Sequence, residues 1–112
     1  MKIAVPVVNG ELSMHFGHCE NFAIVEVYKD SNEIMGMENK QPPPHEPGVL
    51  PKWLNEEGVE IIIAGGMGQR AQMLFGNFGI KVIVGAKGGK PEQLVRSYLE
   101  DSLTTGSNIC DH

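Results

Sequence analysis

Gly58–Gln72 reads GVEIIIAGGMGQRAQ, and its interpretation decides the fold. Glu60–Ala64 is a short, continuous apolar run, the pattern of a strand covered on both faces in a parallel sheet. Gly65-Gly66-Met67-Gly68 follows at once, and a helical pattern then runs from about Met67 to Asn77. That helix would bury Ala71, Leu74, Phe75 and Phe78, with Gly79 as its stop. Ile80–Val84 (IKVIV) is the next strand, so the unit is a right-handed β-α-β crossover. Gly85–Gly89 turns the chain into a further helix. Pro91 suits its first turn, and Leu94, Val95, Tyr98 and Leu99 form its apolar stripe.

Working outward toward the beginning of the chain, Lys2–Val8 is apolar almost throughout and reads as a central strand. Asn9–Asn21 is read as a loop. Phe22–Tyr28 (FAIVEVY) is a second strand, and Glu33–Glu38 returns as a weaker, exposed third. Asn39–Gly48 (NKQPPPHEPG) has three consecutive prolines, which remove donors and fix φ, so it is irregular. Leu50, Trp53 and Leu54 share one face of a helix over Val49–Glu57. The predicted order is β-β-β-α-β-α-β-α, an α/β fold with a mixed five-stranded sheet and helices on its faces. Residues 1–100 are expected to form a single domain and 101–112 a flexible tail.

The bulk numbers agree with one domain. The chain has 112 residues, 41% hydrophobic and 21% charged, enough to bury roughly two-thirds of its unfolded surface. No apolar run approaches the ~20 residues of a membrane helix. Net charge is −5, and no basic cluster interleaved with aromatics is present, which argues against nucleic acid as a partner. No export signal is read in MKIAVPVV, and there are two cysteines, Cys19 and Cys110, so a reducing cytoplasm is expected.

In open parallel sheets, ligands collect beyond the carboxyl ends of the strands. On the predicted topology that rim receives four segments: the loop after Val8, the Pro-rich loop with His45, Gly65–Gly68 and Gly85–Gly89. The first of these holds SMHFGHCENF (Ser13–Phe22), with His15, His18 and Cys19 close together. Imidazole and thiolate are ligands for zinc, copper, iron and iron–sulfur assemblies. The plain alternative is a turn capped by one histidine, with Cys19 as a small buried hydrophobe. His45 is a further candidate donor, as are Cys110 and His112 in the tail. Residues 100–112 span roughly 40 Å when extended, enough to return to the rim or to serve a second subunit.

Gly65, Gly66, Met67, Gly68, Gln69 and Arg70 (GGMGQR) sit where a strand passes into a helix. Unpaired N–H groups there favour an anion, with Arg70, Lys87 and Lys90 as counter-charges. A tight turn needing small residues explains the glycines equally well, and neither a dinucleotide fingerprint nor a P-loop is present. No nucleophile elbow for a hydrolytic triad is found either.

Taken together, MKIAVPV, SMHFGHCENF, HEPG (His45–Gly48), LNEEGVEIIIAGGMGQRAQ and FGIKVIVGAKG resemble the dinitrogenase iron–molybdenum cofactor family. That family includes NifX, NafY, the C-terminal domain of NifB and small stand-alone proteins. GGMG-x-R-A followed by a G-I-x-V strand is the most specific part of the likeness. The resemblance implies a ribonuclease H-like α/β/α fold and a non-catalytic protein that binds or carries an iron–molybdenum, iron–sulfur or other metal–sulfur cluster, or its precursor. Zinc and copper are alternative metals. His15, Phe16, Gly17 and Gly65–Arg70 match the family pattern; His18 and Cys19 occupy its variable positions. Cluster donor and acceptor proteins are the implied partners, and the chain would be a monomer or homodimer. Nuclease members of that fold carry a carboxylate on the first strand; Lys2–Val8 has none. The competing readings are an anion- or small-molecule-binding regulatory module, and a thiol redox sensor pairing Cys19 with Cys110.

Overall fold

The computed structural model describes residues 1–14, 16, 19–44, 48–103, 105 and 106. The chain runs β1 (Lys2–Val8), β2 (Glu11–Leu12), β3 (Asn21–Val27), β4 (Ile34–Lys40), α1 (Val49–Glu56), β5 (Val59–Ile63), α2 (Gln69–Asn77), β6 (Lys81–Ile83) and α3 (Pro91–Leu99). The main strand order is β4-β3-β1-β5-β6, with β2 paired to β1. β3 lies antiparallel to β1 and β4 antiparallel to β3, while β5 and β6 continue the sheet parallel to β1. The fold is therefore mixed α/β, as expected, but among the described residues the sheet has six strands rather than five.

The additional strand, β2, was hidden in the segment read as a loop. Asn9 and Gly10 both adopt positive φ, 54° and 80°, and Val8 pairs with Glu11 across them. This is the two-residue hairpin turn that Asn-Gly favours, because its twist matches that of the strands.

β1 is buried on both faces because each face supports a separate core. Ile3, Val5 and Val7 join Ala23, Val25, Val27, Ile61 and Ile63 beneath Leu94 and Val95 of α3. Ala4 lies on the other face with Phe22, Ile24 and Ile62, covered by Leu50 and Leu54 of α1 and Phe75 of α2. Alternation along a strand sends successive side chains to opposite faces, yet Val59 and Ile61 of β5 belong to different cores. The register explains it: Lys2 pairs with Val59 and Ile3 with Ile61, leaving Glu60 as an extra residue in a bulge. Phe78, expected in the core, is exposed. It caps the C-terminal end of α2, where the helical stripe no longer directs it inward.

Pro6 has a positional role in this central strand. Its carbonyl accepts a hydrogen bond from Ser13 at 2.8 Å, so its nitrogen, which has no hydrogen, faces the same side of the strand. On that side the last β5 pairing is at Ala4 and the first β2 pairing at Val7. A donorless residue sits where the neighbour changes.

Candidate functional site at the fork of the sheet

β1 and β5 part company beyond Ala4, and the segment after β2 enters the fork between them. Ser13 N–H donates to Pro6 on the β1 side, and Phe16 N–H donates to the Gly66 carbonyl on the other, at 3.1 Å. The base of the loop is tied by Glu20 N–H to Val7 at 2.9 Å, and by Asn9 N–H to the Glu20 carboxylate, also at 2.9 Å. Leu12 N–H donates to Gly89 at 2.9 Å. The His/Cys loop is thus fastened to β1, to the glycine turn after β5 and to the turn before α3.

Phe16 is the loop's hydrophobic anchor. It is buried and meets Phe22 and Phe75 edge-on, with ring centroids 5.6 and 5.4 Å apart, the arrangement that aromatic quadrupoles favour. Phe22 in turn meets Trp53 at 5.8 Å. The neighbouring candidates His15, Gly17 and His18 lie outside the described residues.

Gly65, Gly66 and Met67 of the GGMGQR segment are buried. A Cβ on Gly65 would stand 3.0 Å from Met14 Cα and 3.3 Å from the Ser13 carbonyl oxygen. This glycine is required by the close approach of the inserted loop. Gly66 supplies the carbonyl that holds Phe16, and Met67 fills the core shared by α1 and α2. Gly68 N-caps α2 in an extended conformation, with no side-chain cap and no acidic residue in the first turn. Gln69 and Arg70 are exposed. The turn after β6 packs alongside, with Gly85 N–H donating to Gly65 at 3.0 Å and Ala86 N–H to Ala64 at 3.2 Å. It contributes the exposed Lys87 and Lys90. Arg70, Lys87 and Lys90 are the only charged residues in 64–70 and 84–90, so both turns present positive charge on a chain of net charge −5.

Cys19 is half-buried and packs against the same core as Phe16. Burial pushes its thiol up to about 11, opposed in part by a backbone hydrogen bond. In the metal-free chain it is a protonated, weakly polar group; a cation would have to displace the proton to ligate the sulfur. Among the described residues no three His, Cys, Asp or Glu side chains cluster as a metal site. His45, Cys110 and His112 lie outside the described residues. The Pro-rich segment with His45 leaves β4 at Lys40, which pairs with Glu57 just beyond α1; Glu57 holds the Lys40 ammonium above its usual range. Because Lys40 pairs with Phe22 and Phe22 with Pro6, the segment does start from the edge where β1 ends. No described helix is long and apolar enough to cross a membrane.

Two contacts escaped sequence reasoning. One is the wedge of Ser13 and Met14 against Gly65. The other is the return of the chain after α3, where Thr105 pairs with Ala86 and Gly106 N–H donates to Gly85 at 2.6 Å. Both join backbones, so the only signal in the sequence is an unexplained glycine.

Comparison with known proteins follows the same outline. An uncharacterized protein of Methanocaldococcus jannaschii is 34% identical over 108 residues, covering 92% of this chain and 89% of its own. The crystal structure of PH0822 superposes with a TM-score of 0.84 at 26% identity, covering 94% of each chain. The apo form of the orange protein from Desulfovibrio gigas shares the fold, with a TM-score of 0.70 at 21% identity over 96% of this chain and 93% of its own. The dinitrogenase iron-molybdenum cofactor family matches residues 1–101, and the chain belongs to that family.

Proposed function

We propose that the chain binds and carries a metal–sulfur cluster of the iron–molybdenum or iron–sulfur type, or its precursor, and performs no catalysis of its own. One observation carries this reading. The segment through Leu12, Ser13 and Phe16 enters the fork of the sheet and is fastened to two turns whose only charges are cationic. Thiolate and imidazole suit the metal atoms of a cluster. Its net negative charge suits Arg70, Lys87, Lys90 and the N–H groups at the start of α2. His15, His18 and Cys19 are proposed ligands, with His45, Cys110 and His112 as further donors. Gln69 and Arg70 are the exposed part of the proposed anion-facing segment and Gly68 is half-buried; Gly65, Gly66 and Met67 support it from within.

Family membership supports the same cargo and donor and acceptor proteins as partners. It also favours describing the two-faced sheet as a variant of the ribonuclease H-like fold. The thiol-sensor reading is weaker, because sensor cysteines need an accessible, low-pKa thiolate, whereas burial raises that of Cys19. Anaerobic reconstitution with iron, sulfide and molybdate, followed by metal analysis and visible spectroscopy, tests the proposal. Bound metal with sulfur-to-metal absorption is expected, reduced in His15→Ala and Cys19→Ser. Wild-type protein that emerges free of metal would refute it.

A further inference from the structure

Among the described residues nothing pairs with the outer side of β4. The strand at the other edge, β6, has three residues, whereas β4 has seven and no proline. Which backbone groups of β4 point outward follows from the bonds on its inner side. Val27 N–H donates to Met1 at 2.8 Å, and the Met1 ammonium donates to the Val27 carbonyl at 3.0 Å, so Val27 faces β1. Backbone groups alternate along an antiparallel strand, so Val25 also faces β1, while Glu26, Ile24 and Phe22 face β4. Tyr28 N–H, in step with these three, donates to Glu33 at 2.9 Å. Their partners Gly36, Glu38 and Lys40 therefore bond inward. Met37 and Asn39 are left with N–H and C=O groups directed away from the sheet, an open template for another strand.

The side chains fit the same use. Met35 and Met37 are apolar yet 48% and 40% exposed. A Cβ on Gly36 would meet nothing within 4 Å, and its φ is not positive, so nothing inside the chain calls for a glycine there. We propose that β4 is the interface of a homodimer, pairing antiparallel with β4 of a second copy about a two-fold axis at Met37. This centre matches Ile34–Lys40 to itself from end to end. The two Met37 residues exchange a pair of hydrogen bonds, and their side chains meet on the α3 face, the side of their neighbour Val25. Glu38 falls opposite Gly36 of the second copy, where the missing side chain leaves room for the carboxylate. An axis at Glu38 would instead set two carboxylates face to face, a destabilising pair. Because β4 runs parallel to β1, the two rims open at opposite ends of the dimer and stay uncovered. The dimer does not depend on the cluster-binding reading.

Sedimentation equilibrium of the full chain under reducing conditions tests it. A reversible monomer–dimer equilibrium is expected, with a dissociation constant on the order of 10–100 μM, because one strand pair buries less than a standard interface. Met37→Lys should raise that constant more than about tenfold by setting two ammonium groups opposite each other. Its melting temperature at low concentration should match wild type, since the side chain is exposed. The register is checked in a Cys19→Ser, Cys110→Ser background, where an introduced cysteine is the only thiol. Met37→Cys should form a disulfide-linked dimer with diamide, as facing residues of a hydrogen-bonded pair lie about 5.5 Å apart between Cα atoms. Asn39→Cys, which the axis places opposite Met35 of the second copy, should stay unlinked. A chain that remains monomeric up to about 1 mM, or a dimer indifferent to Met37→Lys, overturns the proposal. Linkage through Asn39→Cys but not Met37→Cys overturns the axis and the role given to Gly36.

Discussion

The N–H of Phe16 donates to the carbonyl of Gly66 across the fork of the sheet, at 3.1 Å, and this bond joins the His/Cys loop to the glycine turn. The Phe16 ring beneath it is held between Phe22 and Phe75. Loop position and core packing are therefore coupled through one residue.

Phe16→Ala should lower stability by about 3–4 kcal/mol, through lost transfer energy and the cavity left between the rings. Phe16→Leu should cost less than about 1.5 kcal/mol. Urea denaturation measures both. If the anchor also positions the ligands, metal affinity should fall in the alanine variant even under conditions where it is fully folded.

Two glycines near α2 should respond oppositely to alanine. At Gly65 the new Cβ meets the backbone of Met14 and Ser13, so Gly65→Ala should displace the inserted loop and cost about 1–3 kcal/mol. At Gly76, inside α2, a Cβ meets nothing within 4 Å. Gly76→Ala should gain about 0.5–1 kcal/mol from helix propensity. Equal shifts of the melting temperature in the two variants would contradict this assignment.

Arg70→Glu should leave stability within about 0.5 kcal/mol, since the side chain is exposed. It should nonetheless weaken binding of an anionic cluster, and the residual affinity should depend less on salt. Titration of the reconstituting cluster at two ionic strengths is the check.

The Cys19 thiol gives stability a pH dependence of definite sign. In the unfolded chain it ionises near 9.0; in the folded chain burial retains the proton up to about 11. Its contribution is thus fully present below pH 9.0 and is lost as pH rises toward 11. The side chain is partly exposed, so the effect is about 1 kcal/mol after discounting for solvent screening. Denaturation curves of wild type and Cys19→Ala, compared at both ends of that window, should converge at the alkaline end.

The sheet was legible in the sequence wherever a strand carries its own apolar period. Lys2–Val8 and Pro91–Leu99 appear as read, because two buried faces or a clear helical stripe leave little alternative. The short β2 escaped because two residues, Glu11 and Leu12, are too few for a period to be read, although Asn9-Gly10 marks the turn. Phe78 was assigned inward by period alone, and the helix ends before it. Within the site, spacing and topology brought the GGMGQR turn and the His/Cys loop to one edge. They could not reveal that Gly65 is small to admit Met14, because contacts between distant backbones leave no periodic trace.

Pro6 carries the last consequence. With no hydrogen on its nitrogen, β1 cannot add another rung to its ladder with β5, and the vacated position is taken by Ser13. Any residue with an N–H at position 6 would offer β5 a competing partner at the place where the loop is seated. The seat of the His/Cys loop is thus reserved by a hydrogen bond the protein cannot make.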